Sequence, residues 1–323
     1  MYGLVPSTSS SVPIPKKRLK LGRKTLDSAK EQLLALQERE VTEVLVTEGV
    51  VIEEKEEEEE EEELETGIVV AKNISLETYL NYHKQETGLT VDMRLLDGNV
   101  IIYEVPLGPH AAVAGEIGKL MGIWHNNLTI LGERDVIVDR NTVVRPDASI
   151  QPDDLPRPPV GQECDKAGWP YPTVVVEVGL SEGTKSLHDL ARRYFDRRTT
   201  VQLYLAIKIF GRRRDGTRAL LAFLYQRTSS NPGRPVLVKS FGTAPIDSST
   251  LKFFRRRGVP DQDITGFGRH LAPPCNGPGF QMYQINFPAT AIFYGSPAGI
   301  PPNLMNGFDL DLYKLQRKVL QYV

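Results

Sequence analysis

Thr142-Val143-Val144-Arg145-Pro146-Asp147-Ala148-Ser149-Ile150 and Pro172-Thr173-Val174-Val175-Val176-Glu177-Val178-Gly179 are the two stretches that decide the architecture of this chain. Each is an apolar, β-branched run, the mark of a strand buried within a sheet. Each also carries a carboxylate, Asp147 in the first and Glu177 in the second. An unpaired buried charge is strongly disfavoured, so such an acid binds a cation, pairs with a base, or sits at a strand end facing a cleft. Two of them, on strands able to lie side by side, suggest a site for a hard divalent metal. A salt-bridged or solvent-facing acid on each strand is the plainer alternative.

The surrounding sequence supplies the rest of an α/β domain. Ser75 is placed to cap a helix with Leu76, Tyr79 and Leu80 on one face. Val91 to Leu96 and Asn99 to Val105 flank Asp97-Gly98, a strong hairpin signal. A helix is predicted from His110 to about His125, and strands over Leu128–Leu131, Asp135–Val138 and Thr142–Ile150. The proline-rich Gln151–Tyr171 reads as a long surface loop. Thr173–Val178 is the least polar strand, hence central. Ser181-Glu182-Gly183-Thr184 opens a helix spaced by Leu187, Leu190, Ala191 and Tyr194. Val201–Phe210 and Ala219–Tyr225 bracket a second hairpin-like turn at Asp215-Gly216. Pro235–Phe241 and Gln281–Phe287 are later strands, and Leu310–Tyr322 reads as an amphipathic helix. The expectation is a mixed sheet flanked by helices.

Of 323 residues, 40% are hydrophobic, enough for a substantial core. The net charge of −2 conceals a split. Residues 1–66 hold 9 Lys and Arg against 17 Asp and Glu, whereas 67–323 hold 30 against 24. The division predicts an arm over 1–66 and a mildly basic folded region over 67–323, which permits an anionic partner. Residues 1–27 are rich in Ser, Pro and Lys and are expected to be disordered, and 28–65 partly helical. Pro15 to Lys24 carries a basic cluster, including Lys16-Lys17-Arg18, with the form of a nuclear import signal, a nucleic-acid contact or a solubilising tail. The glutamate-rich tract Glu53–Glu65 reads as a solvated segment, or as a shield for a basic face. Two cysteines, Cys164 and Cys275, have neither metal-ligand spacing nor the numbers of a disulfide framework. Together with the absence of a transmembrane-length apolar run and of a secretory leader pattern, they point to an intracellular location.

Pro146-Asp147 followed by a hydrophobic strand carrying Glu177 resembles the PD-(D/E)XK restriction-endonuclease-like superfamily, and within it the Uma-two group. Leu76–Leu80, the hairpin Leu96–Ile101, the helix opening Gly108-Pro109-His110, and Val176-Glu177-Val178-Gly179-Leu180-Ser181 occur in that group's order. A helix ending Arg192-Arg193-Tyr194-Phe195 and the strand Val201–Ile209 follow. The resemblance covers about residues 68–210. It implies a restriction-endonuclease-like fold, a Mg²⁺ or Mn²⁺ cofactor, and hydrolysis of nucleic-acid phosphodiester bonds, with DNA the expected partner.

Such chemistry needs a metal, an activated water and a cation near the developing charge. Asp147 and Glu177 are the expected ligands, on adjacent strands and close enough to share one ion. The resemblance implies that the Val178 carbonyl completes the shell. Glu104, which ends the apolar run Val100–Tyr103, is the preferred third acid over Glu116, a helical glutamate expected to face solvent. The motif calls for Lys two residues after the second acid, where this chain has Gly179. Lys185 and Arg192 on the following helix are the candidate replacements, although arginine does not serve as a base. His110 is either a phosphate contact or a satisfied helix-start histidine. Arg193, Arg197 and Arg198, with Arg212–Arg214 and Arg255–Arg257, fit sequence-independent phosphate contacts. Three readings stay open: a Mg²⁺-dependent endonuclease, a catalytically weakened module of the same fold that binds nucleic acid or protein, and an interaction protein acting through its charged arm. The sequence leaves open the oligomeric state, a homodimer included.

Overall fold

The computed structural model describes residues 19–47, 67–86 and 88–322. In chain order the elements are α1 (Arg23–Thr47), β1 (Ile68–Ala71), α2 (Leu76–Gln85), β2 (Asp92–Leu96), β3 (Asn99–Glu104), α3 (Gly108–Trp124), β4 (Leu128–Leu131), β5 (Val136–Asp139), β6 (Thr142–Val144) and β7 (Ala148–Pro152). There follow β8 (Val174–Gly179), α4 (Thr184–Tyr194), β9 (Leu203–Arg212), β10 (Arg218–Gln226), β11 (Leu237–Ser240), α5 (Ser248–Arg256), β12 (Ile264–Gly266), β13 (Gln284–Phe287), α6 (Ala289–Ile292), β14 (Phe308–Asp311) and α7 (Leu312–Leu320).

The strands form a seven-stranded sheet in the order β12-β11-β10-β9-β8-β7-β4, a five-stranded sheet β1-β3-β2-β6-β5, and a two-stranded sheet β13-β14. In the large sheet β8/β9 and β11/β12 are parallel and the other pairs antiparallel. Every residue of β8 is buried. Alternation sends Val174, Val176 and Val178 to one face, beneath Val113, Ile117 and Met121 of α3 and Leu312, Leu315 and Val319 of α7. Val175 goes to the other, beneath Leu187, Leu190 and Tyr194 of α4 and Phe254 of α5. Helices on both faces are why these strands read as unbroken apolar runs. The small sheet has a third core, in which Ala29 and Leu33 of α1 and Tyr79 of α2 cover Met93, Leu95 and Ile102.

α7 is tied to α3. Gln316 donates to the carbonyl of Phe241 at 2.7 Å, Lys318 lies 3.5 Å from Glu116, and the Tyr322 ring lies against Gly108.

The Asp97-Gly98 hairpin forms as its sequence predicts, with φ of 50° and 80°, the left-handed pair of a type I′ turn. Other expectations are corrected. The stretch Thr142–Ile150 is two strands, not one: β6 pairs with β2 and β5 in the small sheet, and β7 with β8 and β4 in the large one. Pro146 lies at the break, where a residue without an N–H ends one ladder before the next begins. The predicted helix from Leu310 starts two residues later. Phe308 and Leu310 are buried and Asp309 exposed, an alternation that pairs with β13, and Asp311 then caps α7 by accepting from the Tyr313 N–H. Residues 19–27, expected to be disordered, carry a buried Leu19 and the start of α1 at Arg23. Lys16-Lys17-Arg18 and the Glu53–Glu65 tract lie outside the described residues.

Candidate active site

The break at Pro146 positions the first acid. Asp147 immediately precedes β7, whose first residue, Ala148, pairs with Val176 of β8. The next position along β8 is Glu177, so the two acids stand opposite each other at the junction of the sheets. Asp147 Oδ2 accepts the Val178 N–H at 2.6 Å, locking its carboxylate to the neighbouring strand. Its other oxygen lies 3.2 Å from His110 Nε2 in the first turn of α3, an ion-pair distance without the alignment of a hydrogen bond. His110 is therefore the internal partner of Asp147, in keeping with the helix-start histidine among the two roles its sequence offered. Burial opposes the imidazolium charge, but Asp147, with Glu104 and Asp92, outweighs it and pushes the pKa up to about 10.

Glu177 is 1% exposed. One oxygen accepts the Tyr194 hydroxyl; the other, Oε2, is buried without a hydrogen-bond partner. Burial and the Asp147 charge hold its pKa well above the usual carboxylate range, with Arg94 acting in the opposite direction. Tyr194 packs its ring 5.1 Å from that of Tyr204, which fixes the donor from the α4 face.

Glu104 turns to another task. Its Oε2 accepts the N–H groups of Leu180 (2.7 Å), Ser181 (3.0 Å) and Glu182 (3.1 Å), and its Oε1 those of Ser181 and Val105, both at 2.9 Å. A carboxylate so engaged braces the β8–α4 connector. Glu116 is buried rather than solvent-facing and lies near Lys119 and Lys318, away from the two acids.

The connector also explains Gly179. A Cβ there would come 2.7 Å from the Glu182 carbonyl oxygen and 2.9 Å from Leu187 Cδ1, so no lysine fits. Of the proposed replacements, Lys185 pairs with Asp189 at 3.3 Å on the surface, and Arg192 is exposed near Gly233. Arg193 forks onto Asp97 at 2.6 and 3.1 Å, Arg198 donates to the Tyr171 hydroxyl at 3.1 Å, and Arg197 is exposed.

Three residues near the acids escaped the sequence reading. Lys208, opposite Gly179 on the parallel neighbour β9, is buried and donates to the carbonyls of Leu180 (3.1 Å) and Glu182 (2.9 Å). Arg94 on β2 is 2% exposed and donates to Glu182 Oε1 at 2.7 Å, with its guanidinium carbon 3.3 Å from the centre of the Tyr103 ring. Asp92, at the start of β2, has its pKa raised to about 7 by burial and then by Asp147. Lys208 and Arg94 lie within apolar strands, where a lone cation carries the same signal as Glu177 did.

A cleft of about 290 Å³ reaches Asp147 and Asp92, lined also by His83, Glu133, Arg145 and Tyr103. A second, of about 210 Å³, reaches Arg94 between the small sheet and α4 and is lined also by Lys185, Arg193 and Tyr103. Tyr103 thus borders both. Among the described residues, no three His, Cys, Asp or Glu side chains form a group that could hold a metal ion. No helix among them is long and apolar enough to cross a membrane.

A mixed sheet flanked by helices, with an acid at the start of one strand opposite an acid on the next, is a restriction-endonuclease-like α/β fold. Residues 76–241 match the model of the Uma2 family, described as "Putative restriction endonuclease", and the chain belongs to that family. Among solved structures, "a putative nuclease belonging to DUF820 from Anabaena variabilis" is 14% identical, with 55% of this chain and 92% of that one covered and a TM-score of 0.36. No curated protein matches.

Proposed function

We propose that the chain is a Mg²⁺- or Mn²⁺-dependent endonuclease that hydrolyses phosphodiester bonds of DNA, with the metal held by Asp147 and Glu177. The observation that carries this reading is the buried, unpartnered Oε2 of Glu177 opposite Asp147. An orphaned buried carboxylate oxygen is costly and calls for a cation. The electrostatics agree. Burial and the Asp147 charge raise the pKa of Glu177, and burial and then Asp147 raise that of Asp92, so these carboxyls ionise together most readily where a cation neutralises them. Two carboxylates suffice for Mg²⁺, which keeps several waters.

When bound, the metal polarises a phosphoryl oxygen and lowers the pKa of a coordinated water. The chain's own residues set the stage. Val178 N–H and His110 hold Asp147, Tyr194 orients Glu177, and Glu104 and Lys208 fix the connector that closes over Gly179. Exposed Arg197 and the surface arginines support contacts along the nucleic-acid backbone. The pairing of Lys185 with Asp189 and the exposed position of Arg192 favour a second reading, a catalytically weakened module that binds nucleic acid or protein.

Plasmid nicking in Mg²⁺ and Mn²⁺, beside a Glu177→Ala control, separates the two. Nicking by the wild type alone supports the nuclease; equal slow nicking by both proteins replaces it with the weakened module. Calorimetry is expected to show weak Mn²⁺ binding that Asp147→Ala and Glu177→Ala each abolish, and unchanged binding in both variants refutes the ligand assignment.

A further inference from the structure

A phosphate-cleaving site needs a cation at the developing charge, and the position that carries it in the motif is closed here by the connector over Gly179. We propose that Arg94 is the phosphate-binding cation of this site, its guanidinium receiving a non-bridging phosphoryl oxygen of a nucleic-acid strand that enters between the small sheet and α4. The assignment rests on the nuclease reading for the identity of the substrate, and on four observations of its own.

First, the guanidinium is buried and incompletely used. Nη2 is bonded to Glu182, while Nε and Nη1 have no hydrogen-bond partner. Arginine presents its donors in a fixed fork, so two spare N–H-bearing nitrogens beside a metal-type carboxylate match the oxygens of a phosphate. Second, Arg94 is within electrostatic reach of Glu177: each is among the charges that shift the other. The site thus pairs an orphaned acceptor, Glu177 Oε2, with orphaned donors, the complement of a metal-bound anion. Third, the plane of the guanidinium is set by Tyr103, 3.3 Å beneath it, and by the Glu182 carboxylate, which Ser186 also holds at 2.5 Å. A contact so preorganised costs little reorganisation during reaction. Fourth, Arg94 borders a cleft. That cleft, of about 210 Å³, also has Lys185 and Arg193 on its walls, with Asp189 the one acid among its lining residues. Lys208 is already engaged, its ammonium turned onto the Leu180 and Glu182 carbonyls. Arg94 supplies charge and not a base.

The test uses the full chain and two readouts. Affinity for a short DNA duplex is measured in Ca²⁺, and nicking in Mg²⁺ and Mn²⁺, for wild type, Arg94→Gln, Arg94→Lys and the charge-neutral double variant Arg94→Gln/Glu182→Gln. The double variant removes the ion pair without stranding Glu182, so folding is preserved if the single variant melts early. Affinity is expected to fall roughly ten- to hundred-fold in the Gln variants and less in Arg94→Lys. The rate at saturating DNA is expected to fall by about 10²–10³. Wild-type affinity in a folded Gln variant overturns the assignment, whether or not cleavage is detected. Failure of the wild type to nick above Glu177→Ala counts instead against the nuclease reading, and the affinity comparison then decides the role of Arg94 alone.

Discussion

Gly179→Ala tests the central geometry with a single carbon atom. The new Cβ would lie 2.7 Å from the Glu182 carbonyl oxygen and 2.9 Å from Leu187 Cδ1, both well inside contact distance. Leu187 can shift by rotamer, but the carbonyl cannot easily yield. It accepts from Lys208 at 2.9 Å, and the N–H of the same residue is held by Glu104 at 3.1 Å. Moving the connector therefore weakens charge-assisted bonds worth about 1.5–3 kcal/mol each. Overpacking alone costs roughly 1–3 kcal/mol, and the gain from stiffening the unfolded chain returns only about 0.4–1 kcal/mol where the residue fits. The expected net loss is about 2–3 kcal/mol, read as a lower urea midpoint at unchanged slope. Gly179→Lys, which restores the motif's residue, is expected to be less stable still and no more active. A Gly179→Ala protein within about 0.5 kcal/mol of wild type would refute the closed connector, as would a Gly179→Lys protein with raised nicking activity.

Glu104→Gln keeps shape but replaces an acceptor-only carboxylate with an amide, and is expected to cost about 2–3 kcal/mol in urea unfolding; an unchanged midpoint would show that the brace carries no weight. For His110 the folded pKa, about 10, lies above its ordinary value of 6.5. Its pairing with Asp147 therefore stabilises fully below about pH 6.5 and is lost as pH rises through about 10. His110→Gln is expected to flatten that slope, and an NMR titration with a midpoint near 6.5 would contradict the pairing. For Asp92 the folded pKa of about 7 lies above 3.8, so the folded state holds the extra proton and stability falls as pH rises from about 4 to 7. Asp92→Asn is expected to remove that fall, which unfolding curves across the range would reveal.

The central strands were legible because burial on both faces writes itself as continuous apolar sequence, and the acids stood out against it. The Asp97-Gly98 turn was legible for a local reason, the left-handed backbone of two adjacent residues. The break at Pro146 was visible as a proline, but its consequence, a change of sheet, depends on which partners flank it. The role of Glu104 was misread because a carboxylate at a strand end gives the same signal whether it meets a metal or a row of N–H groups. Three of those N–H groups, on Leu180, Ser181 and Glu182, lie more than seventy residues away. Arg94 and Lys208 are hidden from the motif, which places its cation just after Glu177, whereas the chain brings them in from neighbouring strands.

The tie between α7 and α3 bears on where this protein can be cut. The family match ends at Phe241, yet the carbonyl of that residue is held by Gln316, and the Tyr322 ring lies on Gly108, two residues before His110. A fragment trimmed to the matched segment would bare the apolar side of α3 and loosen the helix start that presents His110 to Asp147. The segment after Phe241 is thus inherited with the site as one mechanical unit, and an activity lost on truncation would report a missing buttress rather than a missing reactive group.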